Sequence, residues 1–300
     1  LLHRHWEFHL MWILRRGQAV GRGALDASAA AAYSGPGDIV SGATTWASSA
    51  RAYTAAFAAT AAPIMDLRDQ AGANPITINI LTTGFADVTA ISNWVSANSV
   101  STIKIAKLYD QTGNGNHWTQ ATLANMPTLT LSALNGLPGI TCASASAQRL
   151  DTAQTITLST TSSYSAVAKR TANFTTKQSA IGTQPTFPIG IGFEASANTA
   201  LSQYNSSGPT VAATDSVFHA MQGIINGSSL SMEVDGASAS TSPAISTQTN
   251  QGFRLGRDQG GNFPLDGIVM EVGVWTSTAF SAGNITSINS NQHGTSGYNF

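Results

Sequence analysis

The sequence predicts an all-β fold, a multi-stranded antiparallel sandwich, on three observations. From residue 126 onward short apolar runs recur (PTLTL, PGITC, TITL, YSAVAK, SAIGT, FPIGIGF, ALSQY, FHAMQGIIN) with Gly, Asn, Ser and Pro between them, the spacing of strands joined by turns. LSMEVDG at 230–236 ends in Asp-Gly, the strongest short hairpin signal. Only 10% of the 300 residues are charged, with Ala, Ser, Thr and Gly abundant, which suits a β-rich extracellular or virion protein better than a cytosolic helical enzyme. The length fits one large domain with appendages, and no internal repeat stands out.

In chain order, Trp6, Phe8, Leu10, Trp12 and Leu14 share a parity, so residues 6–14 read as a strand with a heavily apolar face. It serves either as an edge strand or as an assembly arm pairing with a neighbouring subunit. Residues 17–42, rich in Gly, Ala and Ser, read as a lead-in, which divides the chain into an arm at 1–42 and a sandwich at 43–300. WASSARAYTAAF at 46–57 has the composition of a short helix, with Arg51 and Tyr53 read as packing residues. IMDLRD at 64–69 and ITINIL at 76–81 read as strands. Asp87 then caps a helix whose Val88, Ile91, Trp94 and Val95 share one face, leading into a strand at 102–109. QGFRLGRD at 251–258 and DGIVMEVGVW at 266–275 are the last strands, and SAGNITSINSNQ at 281–292 is a closing helix with Ser281 as its cap.

The formal net charge of −1 provides no basic field to attract nucleic acid and argues for neutral ligands. Cys142 stands alone, so no intrachain disulfide forms. No apolar run reaches the roughly 20 residues of a membrane span, and the start, with its histidines, Glu7 and Arg15-Arg16, does not read as a signal peptide. Met11 is an alternative start. The spacing of His3, His5 and His9 is weak evidence for zinc without an accompanying Cys. No cofactor is called for; Asp258 and Asp266, with neighbouring carbonyls, are the candidates for a structural calcium.

One stretch carries more information than the others. KLYDQTGNGNHWTQ at 107–120 leaves a strand, breaks into Asp, Gly and Asn residues that tolerate left-handed backbone, and returns through Trp118. A rigid polar loop with an aromatic return suits a hydroxylated ligand or, equally, a well-made turn. Its core YDQTGNGNHWTQA resembles the motif YDQSGxGNxLTQA of the α-L-arabinofuranosidase B catalytic domain, a domain type also met in phage and prophage structural proteins. Tyr109, Asp110, Gln111, Gly113, Gly115, Asn116, Thr119 and Gln120 match in register, with weaker similarity from about Ala43 to the C-terminus. The resemblance implies a concanavalin-type (jelly-roll), laminin-G-like sandwich with one or two short helices. It also implies a site. GFEAS at 192–196 is similar to the family's nucleophile segment, which would make Glu194 the nucleophile, and LGRDQGGN at 255–262 resembles the acid segment, which would make Asp258 the general acid. Glu271 is similar to a recurrent structural Glu of laminin-G-like strands. The family's vicinal disulfide beside the sugar site is absent here.

From the residues themselves, Asp110, Asn114, Asn116, His117 and Trp118 are the ligand-binding candidates. Glu194 and Asp258 also admit structural readings, as a solvent-facing strand residue and as an organiser of a Gly-rich loop. Together these observations predict a noncatalytic or weakly catalytic carbohydrate-recognition protein, virion-borne or extracellular, and the phage distribution of the resembling domain implies a component of a phage-like virion, a fibre or decoration protein. Its partners would be a glycan and, through residues 1–16, further copies or other virion proteins. The alternatives are a retaining α-L-arabinofuranosidase and a purely structural virion subunit.

Overall fold

A computed structural model describes residues 32–153, 155–184, 189–204, 207–258 and 262–300. The apolar alternation at 6–14, the early histidines and most of 17–42 lie outside the described residues. Among those described, the strands are β1 (Thr45–Ser48), β2 (Pro63–Arg68), β3 (Ile76–Asn79), β4 (Lys104–Leu108), β5 (Trp118–Thr119), β6 (Thr128–Leu134), β7 (Leu137–Cys142), β8 (Leu150–Asp151), β9 (Ile156–Leu158) and β10 (Thr161–Arg170). They continue as β11 (Gln178–Gln184), β12 (Ile189–Phe193), β13 (Thr199–Tyr204), β14 (Thr210–Ala212), β15 (His219–Asn226), β16 (Ser229–Val234), β17 (Ala237–Thr241), β18 (Gln248–Leu255) and β19 (Gly267–Trp275). The helices are α1 (Pro36–Ile39), α2 (Ala55–Ala59), α3 (Val88–Ala97) and α4 (Ala282–His293).

All pairings are antiparallel, and they resolve into two sheets. Sheet one runs β19–β10–β15–β16–β17, with β1 and β7 sharing the far edge of β19. Sheet two runs β3–β2–β4–β5–β8–β18–β11–β12–β13–β14. Strand β6 pairs with both β4 and β7 and so joins them along one side. Side chains opposite each other in such pairs share a face, so the register separates core from surface. Tyr164, Ala166, Met221, Met232, Val272 and Val274 of sheet one meet Ile181, Ile191, Phe253 and Leu255 of sheet two in one buried core. This is the antiparallel β-sandwich that the alternation predicted.

The outer face of sheet one is covered rather than wet. Helix α4 begins where Ser281 Oγ accepts the Asn284 N–H at 3.2 Å, and it buries Ile288 against Trp46, Trp275 and Phe280. Beneath its C-terminal end Arg51 Nε donates to Glu271 Oε2 at 2.5 Å and Nη2 to Oε1 at 3.0 Å. Tyr298 and Gln292 donate to the same carboxylate, at 2.8 and 2.7 Å. Arg51 and Glu271 therefore hold the fold together, as the sequence reading had them. Helix α3 is capped by Asp87, whose Oδ1 accepts the Ala90 N–H at 2.8 Å, and buries Ile91 and Trp94.

Two expectations change. The helix over 46–57 is instead β1, a turn and the short α2, because Trp46 and Ala47 pair with Gly273 and Val272, so pairing overrides the helical propensity of an Ala-rich run. Residues 33–42 are also more than a lead-in. The Tyr33 hydroxyl donates to the Ala52 carbonyl, the Val40 carbonyl accepts the Trp275 indole N–H at 3.1 Å, and Tyr33–Phe300 form one compact unit. Cys142 is buried, and that burial pushes its thiol up to about 12. No helix among the described residues is long and apolar enough to cross a membrane.

Candidate functional site

The loop 109–120 is a clasp. Gly113 and Gly115 take φ of +88° and +76°, which lets the chain wrap around the Asp110 carboxylate. Its Oδ1 accepts from Trp46 N and Thr112 N, both at 3.1 Å, and Oδ2 from Asn116 N at 3.0 Å. The Thr112 hydroxyl donates to both oxygens. Asn116 Nδ2 donates to the Thr44 carbonyl at 2.8 Å, and Asn114 Nδ2 to Ala43 and Thr44 at 3.0 and 3.2 Å. Gln111 reads the other side of the same segment, accepting from Tyr53 N at 2.8 Å. His117 Nδ1 accepts the Asp110 N–H at 3.0 Å, which puts the neutral ring's proton on Nε2. Burial and the Lys107 ammonium lower that imidazole's basicity.

Trp118, weighed for stacking on a sugar, is instead fully buried; it donates to Thr45 Oγ1 at 2.9 Å and lies against Phe253. Alternation alone could not say which way it pointed. Of the five ligand candidates on this loop, Asn114 is exposed and Asn116 and His117 are half-buried.

The two carboxylates stand on sheet two but apart. Glu194 follows β12, just beyond the Phe193–Gln178 pair. Its Oε1 accepts the Ala195 N–H at 2.7 Å, and its Oε2 lies 3.4 Å from the Lys177 ammonium. Asp258 follows β18 and sits over Gly182, where a Cβ would fall 3.1 Å from the Asp258 Cα. Gln178 and Gly182 are four residues apart on β11, roughly 13 Å of strand. Glu194 also turns across the sheet to Lys177 rather than along it.

Around Asp258 the register builds a site that no single motif announces. One row on the outer face of sheet two reads Asp151 (β8), Arg254 (β18), Gly182 (β11), Gly190 (β12) and Gln203 (β13). The centre of the row is two glycines, with Asp258 packed directly on Gly182 and backbone alone at Gly190. No side chain fits at Gly190, whose Cβ would lie 2.1 Å from the Ile181 carbonyl. Arg254 forms one wall. Its Nε donates to Asp151 Oδ1 at 2.6 Å, Nη2 to Gln184 Oε1 at 2.7 Å and Nη1 to the Asp258 carbonyl at 3.2 Å.

Asp258 is 2% exposed. Burial raises its carboxyl to about 6, although Arg254 and Arg257 pull it back down. Among the described residues, Asp258 Oδ1 and Gln203 Nε2 are buried with no hydrogen-bond partner. Such orphans are rare and cost about 1–3 kcal/mol each. Arg254, Asp151, Gln184 and Gln203 were not singled out from sequence. The available signal was Gly-Ile-Gly at 190–192 inside a strand, a mark of close backbone approach.

Asp266, the other calcium candidate, is turned to Ser144, accepting its N–H at 2.7 Å and its hydroxyl at 2.6 Å. Among the described residues no group of three His, Cys, Asp or Glu side chains is placed to hold a metal ion.

No protein-family model matches the chain, and no curated protein matches it. Solved structures do. A GH54 α-L-arabinofuranosidase mutant soaked with 4-nitrophenyl α-L-arabinofuranoside superposes with a TM-score of 0.66 at 18% identity, over 86% of this chain and 64% of that one. An arabinofuranosidase complexed with arabinofuranosyl-α-1,2-xylobiose gives 0.65 at 18% identity over the same shares. A GH54 enzyme soaked with a cyclic sulfate inhibitor gives 0.64, again at 18% identity, 86% of this chain and 64% of that one. The chain shares its fold with the matched part of these enzymes. The chain spans 64% of the length of these enzymes.

Proposed function

We propose that this chain recognises carbohydrate through the outer face of sheet two, without using Glu194 and Asp258 as a retaining pair. The observation that carries the reading is the two-glycine row with an orphan acceptor, Asp258 Oδ1, on one side and an orphan donor, Gln203 Nε2, on the other. A sugar hydroxyl donates and accepts at once, so adjacent hydroxyls of one ring answer both. Strands β11 and β13 are two spacings apart, about 10 Å, which a ring and its substituents bridge. A retaining glycosidase needs carboxyls about 5–5.5 Å apart, and the Lys177-bound Glu194 does not supply the second. The fold likeness to enzymes crystallised with arabinofuranosides supports a glycan as the ligand class. Display on a phage-like virion, or elsewhere outside the cell, is the setting we propose from the motif resemblance and low charge; recovery of the native protein only as a free soluble monomer would refute the virion part.

The test is isothermal titration of the full chain with arabinoxylan and arabinan oligosaccharides, beside a 4-nitrophenyl α-L-arabinofuranoside assay. Binding without turnover, lost in Gly182→Ala, is expected. Turnover abolished by Glu194→Gln overturns the noncatalytic reading. One observation favours that second reading: a buried carboxyl raised to about 6 is what a general acid requires. It predicts turnover lost in Asp258→Asn.

A further inference from the structure

The opposite face of the sandwich carries a second polar row, unrelated to Asp258. On the outer face of sheet one the register aligns Ser165 (β10), Gln222 (β15), Glu233 (β16) and Ser238 (β17). Helix α4 covers the head of this row: Gln292 Nε2 donates to Ser165 Oγ at 3.1 Å, and Gln292 Oε1 accepts from Gln222 Nε2 at 2.8 Å. The tail runs out from under the helix. There Glu233 and Ser238 line a cleft of about 270 Å³ whose other wall is Ile285, Thr286, Asn289 and Ser290 of α4.

The chemistry of this cleft is unbalanced. Gln222 is fully buried, and its Oε1 has no hydrogen-bond partner among the described residues; neither has the buried Asn289 Oδ1. Glu233 makes no ion pair among the described residues, and burial raises its carboxyl. The Glu233 carboxylate on the sheet wall and the Asn289 oxygen on the helix wall therefore lack donors among the described residues, with the Gln222 oxygen buried behind them, while Ser238, Thr286 and Ser290 offer hydroxyls that donate or accept. Ile285 adds an apolar edge. Asp235, two residues on from Glu233, does not join the set, because it is held by His219 Nδ1 at 2.5 Å and His293 Nε2 at 3.3 Å. The cleft thus holds one carboxylate, too few for a tight divalent-cation site. Gly236 lies at the mouth and takes φ +91°, a turn conformation that favours glycine.

We propose that the cleft between the β16–β17 hairpin and α4 is a second binding site, for one ring of a neutral polyhydroxylated ligand, a monosaccharide unit. Its vicinal hydroxyls donate to Glu233 and Asn289 Oδ1, and its C–H face rests on Ile285. Because the two rows lie on opposite outer faces, one chain could engage two segments of a polysaccharide, and weak sites gain by being linked.

The test is an amide-resolved NMR titration of the full chain with D-xylose, L-arabinose and D-galactose at millimolar concentrations, and with calcium as a separate arm. Saturable shifts at Ser238, Thr286 and Ser290 are expected with at least one sugar. Affinity falls about tenfold in Glu233→Gln and vanishes in Ser238→Trp, which fills the cleft; both variants should unfold at the wild-type urea midpoint. Gly182→Ala leaves these shifts unchanged, so failure of the sheet-two reading and failure of this one are separable. No shift at these three amides with any sugar overturns the proposal, as does a response confined to calcium or one that survives Ser238→Trp.

Discussion

Replacing Asp110 with Ala distinguishes a scaffold from a ligand site. In the native protein its carboxylate satisfies three backbone N–H groups, those of Trp46, Thr112 and Asn116, and the Thr112 hydroxyl. Trp46 is fully buried, so its amide finds no water once the carboxylate is gone. A hydrogen bond to a charged group contributes about 1.5–3 kcal/mol and a stranded buried donor costs about 1–3 kcal/mol. The bonds share one acceptor, so they do not add fully, and a loss of about 3–5 kcal/mol is expected for Asp110→Ala, at the upper end for single substitutions. Asp110→Asn keeps one carbonyl oxygen but points an NH2 at a donor, with roughly half that loss. The assay is urea unfolding of both variants by tryptophan fluorescence, with the midpoint shifted and the slope unchanged. A shift below about 1 kcal/mol for Asp110→Ala, together with loss of glycan binding, would refute the clasp and restore Asp110 as a ligand residue.

Other expectations follow from the same geometry. Glu271→Gln leaves Arg51 buried without a counter-charge and should destabilise by about 3–5 kcal/mol, read by urea midpoint; a neutral result would mean that Tyr298 and Gln292 alone support that end of α4. His219 bonds two acceptors, Asp235 Oδ2 at 2.5 Å and the Thr214 carbonyl at 2.9 Å, which requires the doubly protonated ring. Burial opposes that charge, but these bonds outweigh it and raise the imidazole above its ordinary value. Its contribution is therefore complete below the unfolded value and disappears as pH rises through the folded one. Unfolding measured between pH 5 and 9 should show a loss of stability on the alkaline side that is absent in His219→Gln. Asp258, raised from 3.8 to about 6, has the same sign. It favours the fold in acid and loses that contribution as pH climbs through about 6, so Asp258→Asn should gain stability relative to wild type at alkaline pH.

The fold was legible because alternation and turn chemistry are local. Asp235-Gly236, at φ +50° and +91°, makes the β16–β17 hairpin that Asp-Gly predicted, and Asp87 and Ser281 cap the helices assigned to them. Strands β8 and β14 went unread, at two and three residues, too short to show a period. So did β17, Ala-Ser-Ala-Ser-Thr, whose small residues carry no contrast between faces. The site was less legible for a different reason. Asp151, Arg254, Gly182, Gly190 and Gln203 come from five strands, and only register aligns them, which no spacing within one segment encodes.

This difference also explains what the 109–120 motif says. Its residues are a matched set because each completes another: Gly113 and Gly115 allow the turn, Asp110 collects the amides the turn presents, Asn116 returns to Thr44, and Trp118 fills the core behind Thr45. A set so interdependent specifies a fold strongly. With the Asp110 oxygens and the Asn114 and Asn116 amide donors engaged within the chain and Trp118 buried, the same set says little about a ligand. If the two proposed sites bind, specificity would rest on residues free to differ while the clasp stays intact, Gln203 and Asp258 on one face and Glu233 and Asn289 on the other. Exchanging those four should change which glycan is held without the loss of stability expected for the clasp, Asp258→Asn even gaining some at alkaline pH, whereas exchanging the clasp residues should lower the urea midpoint first.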